Sequence, residues 1–403
     1  MSSALKPRDF PWFDYSRHTF SLGLTTGSHV LLSGHSASEY DAASGAIVVK
    51  GDMAAQARTA WAKIARILEA GGKSFADIVH VVEYVTAAGI ENYDQACAVR
   101  QEAPAERSSA ERANESARCV KDEVVATSAP AVSVVVVKGL LRPQALIEIE
   151  VEAGPATTSA ADGLIYLSLP LARDQISGDV ATQTRAIYQQ ATRILNSLGL
   201  GMQHVVKTVD YVSAAALPSY KDTAQVRREY FARSAPERSA SEFPAATGIV
   251  MPRVAHSDAL IQVEFVATRD GRVVVNPGFG RYSQLTYSPA VKAGNLLFIS
   301  GMAALDPETG VALHEGNVVA QAGYVYGNLR RVLAAAGGGL EDLVRTVEYV
   351  TPAALAHYRE VARVRASIMR EPFPTSTGVV CETLPRPQFQ IEIDALAILP
   401  NGA

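Results

Sequence analysis

One seven-residue phrase is written three times in this chain. It reads Arg345-Thr346-Val347-Glu348-Tyr349-Val350-Thr351, and it returns as His80-Val81-Val82-Glu83-Tyr84-Val85-Thr86 and as Lys207-Thr208-Val209-Asp210-Tyr211-Val212-Ser213. A Gln precedes each central acid by 27 positions, at Gln56, Gln183 and Gln321. An Arg follows each acid by 17 positions, at Arg100, Arg227 and Arg365. Three blocks of 45 residues in one register are an internal triplication, so the chain has to be built from three copies of one unit.

The bulk numbers agree with three soluble units and exclude several classes of function. The chain's 403 residues suit roughly three domains of about 100–150 residues. An apolar content of 48% with 19% charged residues is enough for ordinary cores. A net charge of −4 leaves no basic footprint, so no nucleic-acid partner is expected. Cys97, Cys119 and Cys381 are too few and too scattered for a disulfide framework or a zinc site. Met1 to Tyr15 holds no apolar leader, and no later stretch approaches the roughly 18 apolar residues of a membrane span. A cytoplasmic protein without a membrane partner is expected.

Read in order, the repeats occupy residues 13–154, 157–269 and 282–399, with an insertion in the first at about 101–128. In the first repeat Leu31 to His35 reads as a strand, and Ala46 to Val49 as a second one paired back on it across the Asp41–Gly45 turn. Asp52 opens a helix whose Ala60, Ile64, Ile67 and Leu68 share one face, and Gly72 closes it, as Gly199 and Gly337 do in the other repeats. The phrase strand, a second helix and two closing strands follow. The inserted segment alternates charged residues with Ala and Ser and carries no apolar stripe, which reads as a surface loop. The second repeat has a truncated hairpin, and residues 270–281 read as a linker.

Each unit is thus ββ(β)αβαββ, an α+β layer with helices on one sheet face. In the phrase strand, alternation puts Val344, Thr346, Glu348 and Val350 on one side and Arg345, Val347, Tyr349 and Thr351 on the other. Neither side is fully polar, so both need cover. Three sheets packed bare face to bare face about a pseudo-threefold axis, as an intramolecular pseudo-trimer, would supply it.

The third repeat carries a recognisable set of motifs. Tyr287-Ser288-Pro289-Ala290-Val291-Lys292-Ala293-Gly294-Asn295, Ser300-Gly301, the Asp306–Gly310 turn, Val319-Ala320-Gln321 and the close Pro374…Leu384-Pro385-Arg386…Ile391-Glu392-Ile393 resemble the RidA/YjgF family of reactive-intermediate deaminases. The resemblance implies three chorismate-mutase-like domains around a central β-barrel, one chain replacing a homotrimer and free to pair further. It implies ligand sites between neighbouring units, hydrolysis of enamine or imine compounds, and no metal or organic cofactor. The family's carboxylate-binding Arg falls on Ser376, Ala246 and Val132, its Cys on Gly378, Gly248 and Val134, and its helix Asn on Ala362, Ala224 and Ala96. Its Tyr falls on Tyr287, with Phe20 and Ala156 in the other repeats, and its water-positioning Glu on Glu392 and Glu148, with Gln262 in the second repeat. At most one or two of the three sites should therefore work alike.

The candidate catalytic residues are Glu392, Glu148 and Tyr287. The candidate substrate-binding residues are Arg386 and Arg142, six positions before the two glutamates, with Ser300, Ser376, Thr377, Glu348 and Glu83. Each has a plainer reading. The glutamates and arginines could be solvated, and Glu348, Glu83 and Asp210 could pair with Arg345 or a helix Arg instead of forming a ring of acids. The helix pairs Tyr93/Arg100, Tyr220/Arg227 and Tyr358/Arg365 read as packing and outer salt bridges. The first functional reading is a hydrolase acting on a small unsaturated carbonyl, carboxylate, imine or enamine compound, with water activated by Glu392 or Glu148. The alternative is a non-catalytic small-molecule binder that kept the fold. A ring-opening amidase needs a Ser–Lys pair in each unit, and Lys292 has no counterpart near Ser33 or Ser168.

Overall fold

The computed structural model describes residues 2–7, 10–15, 18–102, 130–154, 163–171, 175–231, 243–256 and 258–400. Most of the expected insertion, and Ala156, lie outside these residues; Gln101 and Glu102 complete the helix Tyr93–Glu102.

The three long helices are Met53–Ala70, Val180–Ser197 and Val318–Ala335, each of 18 residues. Each starts on a short polar side chain that accepts from an otherwise unpaired first-turn amide. The pairs are Asp52 with Ala55 at 2.9 Å, Asp179 with Thr182 at 2.8 Å and Asn317 with Ala320 at 3.0 Å. Just past their ends Gly72, Gly199 and Gly337 take φ of 67°, 73° and 86°, the left-handed turn that glycine enters without a Cβ clash. The repeated Gln has a structural job. Gln56, Gln183 and Gln321 are buried, and their side-chain carbonyls accept from Leu146, Leu260 and Gln390 at 2.8, 2.8 and 2.7 Å. Each thereby ties its helix to the start of the last strand.

The phrase strands Ile78–Thr86, Val205–Ser213 and Leu343–Val350 lie at the centre of their sheets. Each runs antiparallel to the last strand of its repeat (Ile147–Ala153, Ile261–Thr268, Ile391–Ile398). Each runs parallel to the strand before that one (Ala131–Val137, Ala245–Met251, Thr375–Val380). The main sheets of the three repeats hold seven, four and seven described strands, that of the second repeat being the smallest of the three.

Each sheet buries one face under its own helices, giving three separate cores. The opposite faces meet in two further cores that draw on all three repeats. One gathers Tyr84, Val135, Tyr211, Ile249, Val347 and Tyr349, and the other Leu31, Leu164, Val206, Phe298, Val344 and Leu396. The side chains of Tyr84, Tyr211 and Tyr349, one from each repeat, are buried together in the first of these. Among the described residues the strand pairing does not close the three sheets into one barrel. Repeats meet through the pairing of Gly139–Leu140 with the strand Thr375–Val380 and through single bridges such as Ser21 with Thr375 and Ala245 with Ser288.

Four sequence expectations are corrected. The strand Ala46–Val49 pairs with Ser38–Asp41 in a two-stranded sheet of its own, not with the Leu31 strand, whose partner is Gly23–Thr26. The presumed linker supplies Arg272–Val275, an edge strand of the third sheet. Its Arg-Val-Val-Val run has the β-branched character that the neighbouring Asn-Pro-Gly masked. Val344 leaves the side of Thr346 and Glu348, because the register shifts between Leu343 and Arg345 and turns it into a shared core. Cys97 is disulfide-bonded, whereas Cys381 is a buried free thiol.

Because Phe298 packs with residues of all three repeats, Phe298→Ala should cost about 3–5 kcal/mol. In urea it should lower the midpoint of one transition for the whole chain. A variant that loses only a third of the helical signal at a new, lower midpoint would show that the repeats fold independently.

Candidate active site

At the seam between the first and third repeats, the Gly34 amide donates to Thr377 Oγ1 at 2.9 Å, and that hydroxyl donates to Glu150. Arg345 stands 3.7 Å from Glu150. One residue back, the Ser376 amide donates to Ser33 Oγ at 2.9 Å, and Ser33 donates to the Ser21 carbonyl. The seam between the second and third repeats copies this arrangement. The Gly301 amide donates to Thr247 Oγ1 at 2.9 Å, Thr247 donates to Asp394, and Lys207 Nζ lies 2.6 Å from Asp394. The Ala246 amide donates to Ser300 Oγ at 2.8 Å, and Ser300 donates to the Ser288 carbonyl. At the third seam Ser133 donates to Ser168 at 2.8 Å, Glu264 is buried nearby, and His80 stacks on Tyr166 with ring centres 4.5 Å apart.

Above the first two staples sit the candidate catalytic carboxyls. Glu148 pairs across the ladder with Tyr84, and Glu392 with Tyr349. Both side chains are buried, and a Cβ at Gly34 or Gly301 would run into their carboxyl oxygens. Only glycine leaves that space. Burial, reinforced by Glu150, pushes the Glu148 carboxyl up to about 8 against the opposing charges of Lys63 and Arg142. Burial and Asp394 push Glu392 up to about 8 against Lys207. Both are therefore mostly neutral acids at pH 7. The third seam has Gln262 at this place and Val134 in the row opposite, so the acid is missing there.

The structure gathers Glu392, Tyr287 and Arg386 at one seam. The Tyr287 phenol is raised by burial and lies within the fields of Arg281, Glu392, Arg227 and Arg386. Arg386 spends one donor on the Gly310 carbonyl at 2.7 Å. Arg142, half-buried near Glu148, makes no hydrogen bond or ion pair through its guanidinium among the described residues. Burial and neighbouring Arg359 lower its pKa. Ser376 and Thr377 belong to the Glu148 seam and Ser300 to the Glu392 seam. The hydroxyls of Thr377 and Ser300 are both committed to staples, which leaves them little for a ligand.

Glu348 and Glu83 do not form a ring of acids. Glu348 is fully buried and accepts from Arg365, from Tyr358 at 2.6 Å and from Tyr326 at 2.8 Å. Glu83 accepts from Arg100 at 2.6 Å and from Tyr93, and Asp210 from Arg227 and from Tyr220 at 2.9 Å. The helix Tyr/Arg pairs are therefore buried anchors and not outer salt bridges. They also explain two absent side chains, since a Cβ at Gly378 or Gly248 would collide with the Tyr358 or Tyr220 hydroxyl. These anchors wall the seams: Arg365 donates to Thr19 of the first repeat at 3.1 Å, and Arg227 acts on Tyr287 of the third.

Sequence reasoning missed Lys63. Its amine is fully buried, donates to the Ser36 and Ser38 carbonyls, and lies 5.7 and 5.4 Å from the Trp12 and Phe13 ring centres. Burial lowers its pKa to about 7, although Glu39 and Glu148 oppose this. The signal was available in the three- and four-residue spacing from Ala60 and to Ile67, which puts Lys63 on the buried helix face.

Residues 14–154, 156–268 and 281–399 each match the family described as Endoribonuclease L-PSP, and the chain belongs to that family. It is 31% identical over 143 residues to Reactive Intermediate Deaminase A, chloroplastic, of Arabidopsis thaliana, covering 36% of this chain and 70% of that protein. It is 32% identical over 111 residues to 3-aminoacrylate deaminase RutC of Acinetobacter baylyi, covering 28% of this chain and 85% of that protein. A solved chorismatase structure covers 80% of this chain and 93% of its own at a TM-score of 0.55 and 19% identity, which shows a shared fold running through the repeats. Among the described residues no helix is long and apolar enough to cross a membrane.

Arg365→Met strands the buried Glu348 carboxylate and should cost about 3–5 kcal/mol at pH 7. The Glu348 pKa lies below its ordinary value in the folded protein, held there by Arg365 and the two phenols against the upward pull of burial. Its stabilisation is therefore present above the unfolded pKa and lost as pH falls through the folded one. Urea melts of variant and wild type should converge in acid, and an equal gap at all pH values would contradict this pairing.

Proposed function

We propose that this chain is a cofactor-independent hydrolase that adds water to a small unsaturated carbonyl, carboxylate, imine or enamine compound at its inter-repeat seams. The observation that carries the reading is the pair Glu148 and Glu392. Each is a buried carboxyl raised to about 8, held over a glycine amide where two repeats meet. At neutral pH such a group starts as an acid. With an enamine, the carboxyl gives its proton to the β-carbon and leaves an iminium. The new carboxylate then takes a proton from water as the water oxygen bonds to the C–N carbon. Loss of ammonia from that adduct yields the carbonyl product. Tyr287 orients the substrate at the Glu392 seam. Arg386 or Arg142 holds the anionic end, with Arg227 or Arg365 behind it, in place of the guanidinium missing at Ser376, Ala246 and Val132.

The names of the deaminase relatives support C–N hydrolysis. The altered clamp favours a larger or ring-derived compound over plain aminoacrylate. We take residues 13–154, 157–269 and 282–399 as three domains packed about a pseudo-threefold axis near Tyr84, Tyr211 and Tyr349. The two cores built from all three repeats support that arrangement. A non-catalytic binder is the second reading, favoured by Tyr358 and Tyr220 filling the space of lost side chains.

Ammonia release from freshly generated imines tests the proposal. Glu148→Gln and Glu392→Gln together should lower the rate about hundredfold or more. Because the acid has to be protonated, wild-type activity should fall as pH rises through about 8. No turnover across a broad imine panel would favour the binder, and turnover indifferent to both substitutions would contradict the acid role of the two glutamates.

The same groups predict a stability effect. A carboxyl whose folded pKa lies above its unfolded value contributes stability at low pH that is lost as pH rises through the folded pKa. Glu148→Gln should therefore raise stability at pH 8 by on the order of 4 kcal/mol and leave it nearly unchanged at pH 4. Equal urea midpoints at pH 8 would contradict the raised pKa.

A further inference from the structure

An aromatic chamber adjoins the Glu148 seam. It encloses ≈ 500 Å³, within the range of about 300–1,000 Å³ typical of small-molecule sites. The leader contributes Phe10, the first repeat Phe13, Tyr15 and Phe20, and the third repeat Phe373. The Phe10 ring meets Tyr15 at 5.8 Å and Phe13 at 6.1 Å, both edge to face, so the rings stand as angled walls instead of a closed stack. Lys6 and Glu371, both exposed and 3.7 Å apart, mark the rim.

Arg142, Arg365 and Lys63 stand near the chamber's walls. His18, a wall residue, packs against Phe20 with ring centres 5.0 Å apart. Burial and the charges of Arg142 and Arg365 keep it neutral, while Asp14 opposes them. Lys63 lies against the outer side of Phe13 and within the field of Glu148. Phe20 stands where the third repeat has Tyr287 and offers a ring without a hydroxyl.

We propose that chamber and seam together form one site for an aryl-substituted unsaturated carboxylate. Its flat ring sits among Phe10, Phe13, Phe20 and Phe373, and its carboxylate reaches Arg142. The inference rests on the hydrolase reading in one respect, since it puts the conjugated bond beside Glu148. The dimensions and ring lining favour a planar ring over an aliphatic chain, and a half-buried guanidinium with no described partner favours a charged head.

Calorimetric titration of the full chain at pH 7 with cinnamate, cinnamyl alcohol and acrylate tests this without requiring turnover. Cinnamate should bind about tenfold more tightly than the neutral alcohol, since a charge-assisted pair is lost in the latter. It should also bind about tenfold more tightly than acrylate, which lacks the ring. Arg142→Gln should remove the advantage over the alcohol, and Phe20→Leu the advantage over acrylate, with thermal melts showing that both variants fold. Phe13→Leu replaces Phe20→Leu if the latter does not fold. Failure of cinnamate to bind, or equal affinity for all three compounds, overturns the inference. So does binding unchanged in both the arginine and the aromatic variant. Imine hydrolysis that depends on Glu148 without cinnamate binding would sink this inference alone. Cinnamate binding without any turnover would sink only the hydrolase reading.

Discussion

A sheet covered by helices on one face is half a solution, and this chain finishes each half with the other two repeats. Val347, Tyr211 and Val135 come from three different sheets and share one core. Nothing within a single repeat keeps those faces from water. The seams follow from that packing, because sheets that meet face to face must also meet at their edges. At two edges the same contact recurs, in which a glycine amide donates to a threonine whose hydroxyl donates to an acid of the neighbouring repeat. Arg345 or Lys207 lies beside that acid and keeps its charge compensated.

Burial at these edges sets the chemistry. A carboxyl forced out of water beside another acid holds its proton, and this happens twice, at Glu148 and Glu392. The surroundings are not equivalent. Lys63 and Arg142 oppose the shift at one seam and Lys207 at the other. Phe20 faces one site and Tyr287 the other. Triplication thus supplied equal frames, and substitution made the seams chemically distinct. The third seam, with Gln262, has a Ser133–Ser168 contact in place of the glycine–threonine staple and lacks the acid.

The repeat, its helices and its central strands were legible because they rest on local rules. Asp52 and Gly72 bound their helix as capping chemistry requires, and the Gln register points to the helix-to-strand tie. Reading failed where a long-range contact overrode the local pattern. The Arg272–Val275 strand exists because an open sheet edge lies beside it. Val344 changes side because of an irregularity in the ladder that alternation cannot foresee. At the seams, the family resemblance singled out Glu148, Glu392 and Tyr287 and spacing singled out Arg142 and Arg386, whereas Glu348 and Glu83, named as ligand candidates beside a plainer reading, are each bound by their own helix. Spacing put Tyr358 and Arg365 on one helix face, but only the packing shows that the face turns inward toward Glu348.

The proposed chemistry depends most on two glutamic acids staying protonated near neutrality. Carbon NMR of protein labelled at the glutamate side-chain carboxyls, followed through a pH titration, measures this directly. The expected result is two resonances titrating near pH 8, one lost in Glu148→Gln and the other in Glu392→Gln. Titration of both below about pH 5, in the ordinary carboxylate range, would contradict it.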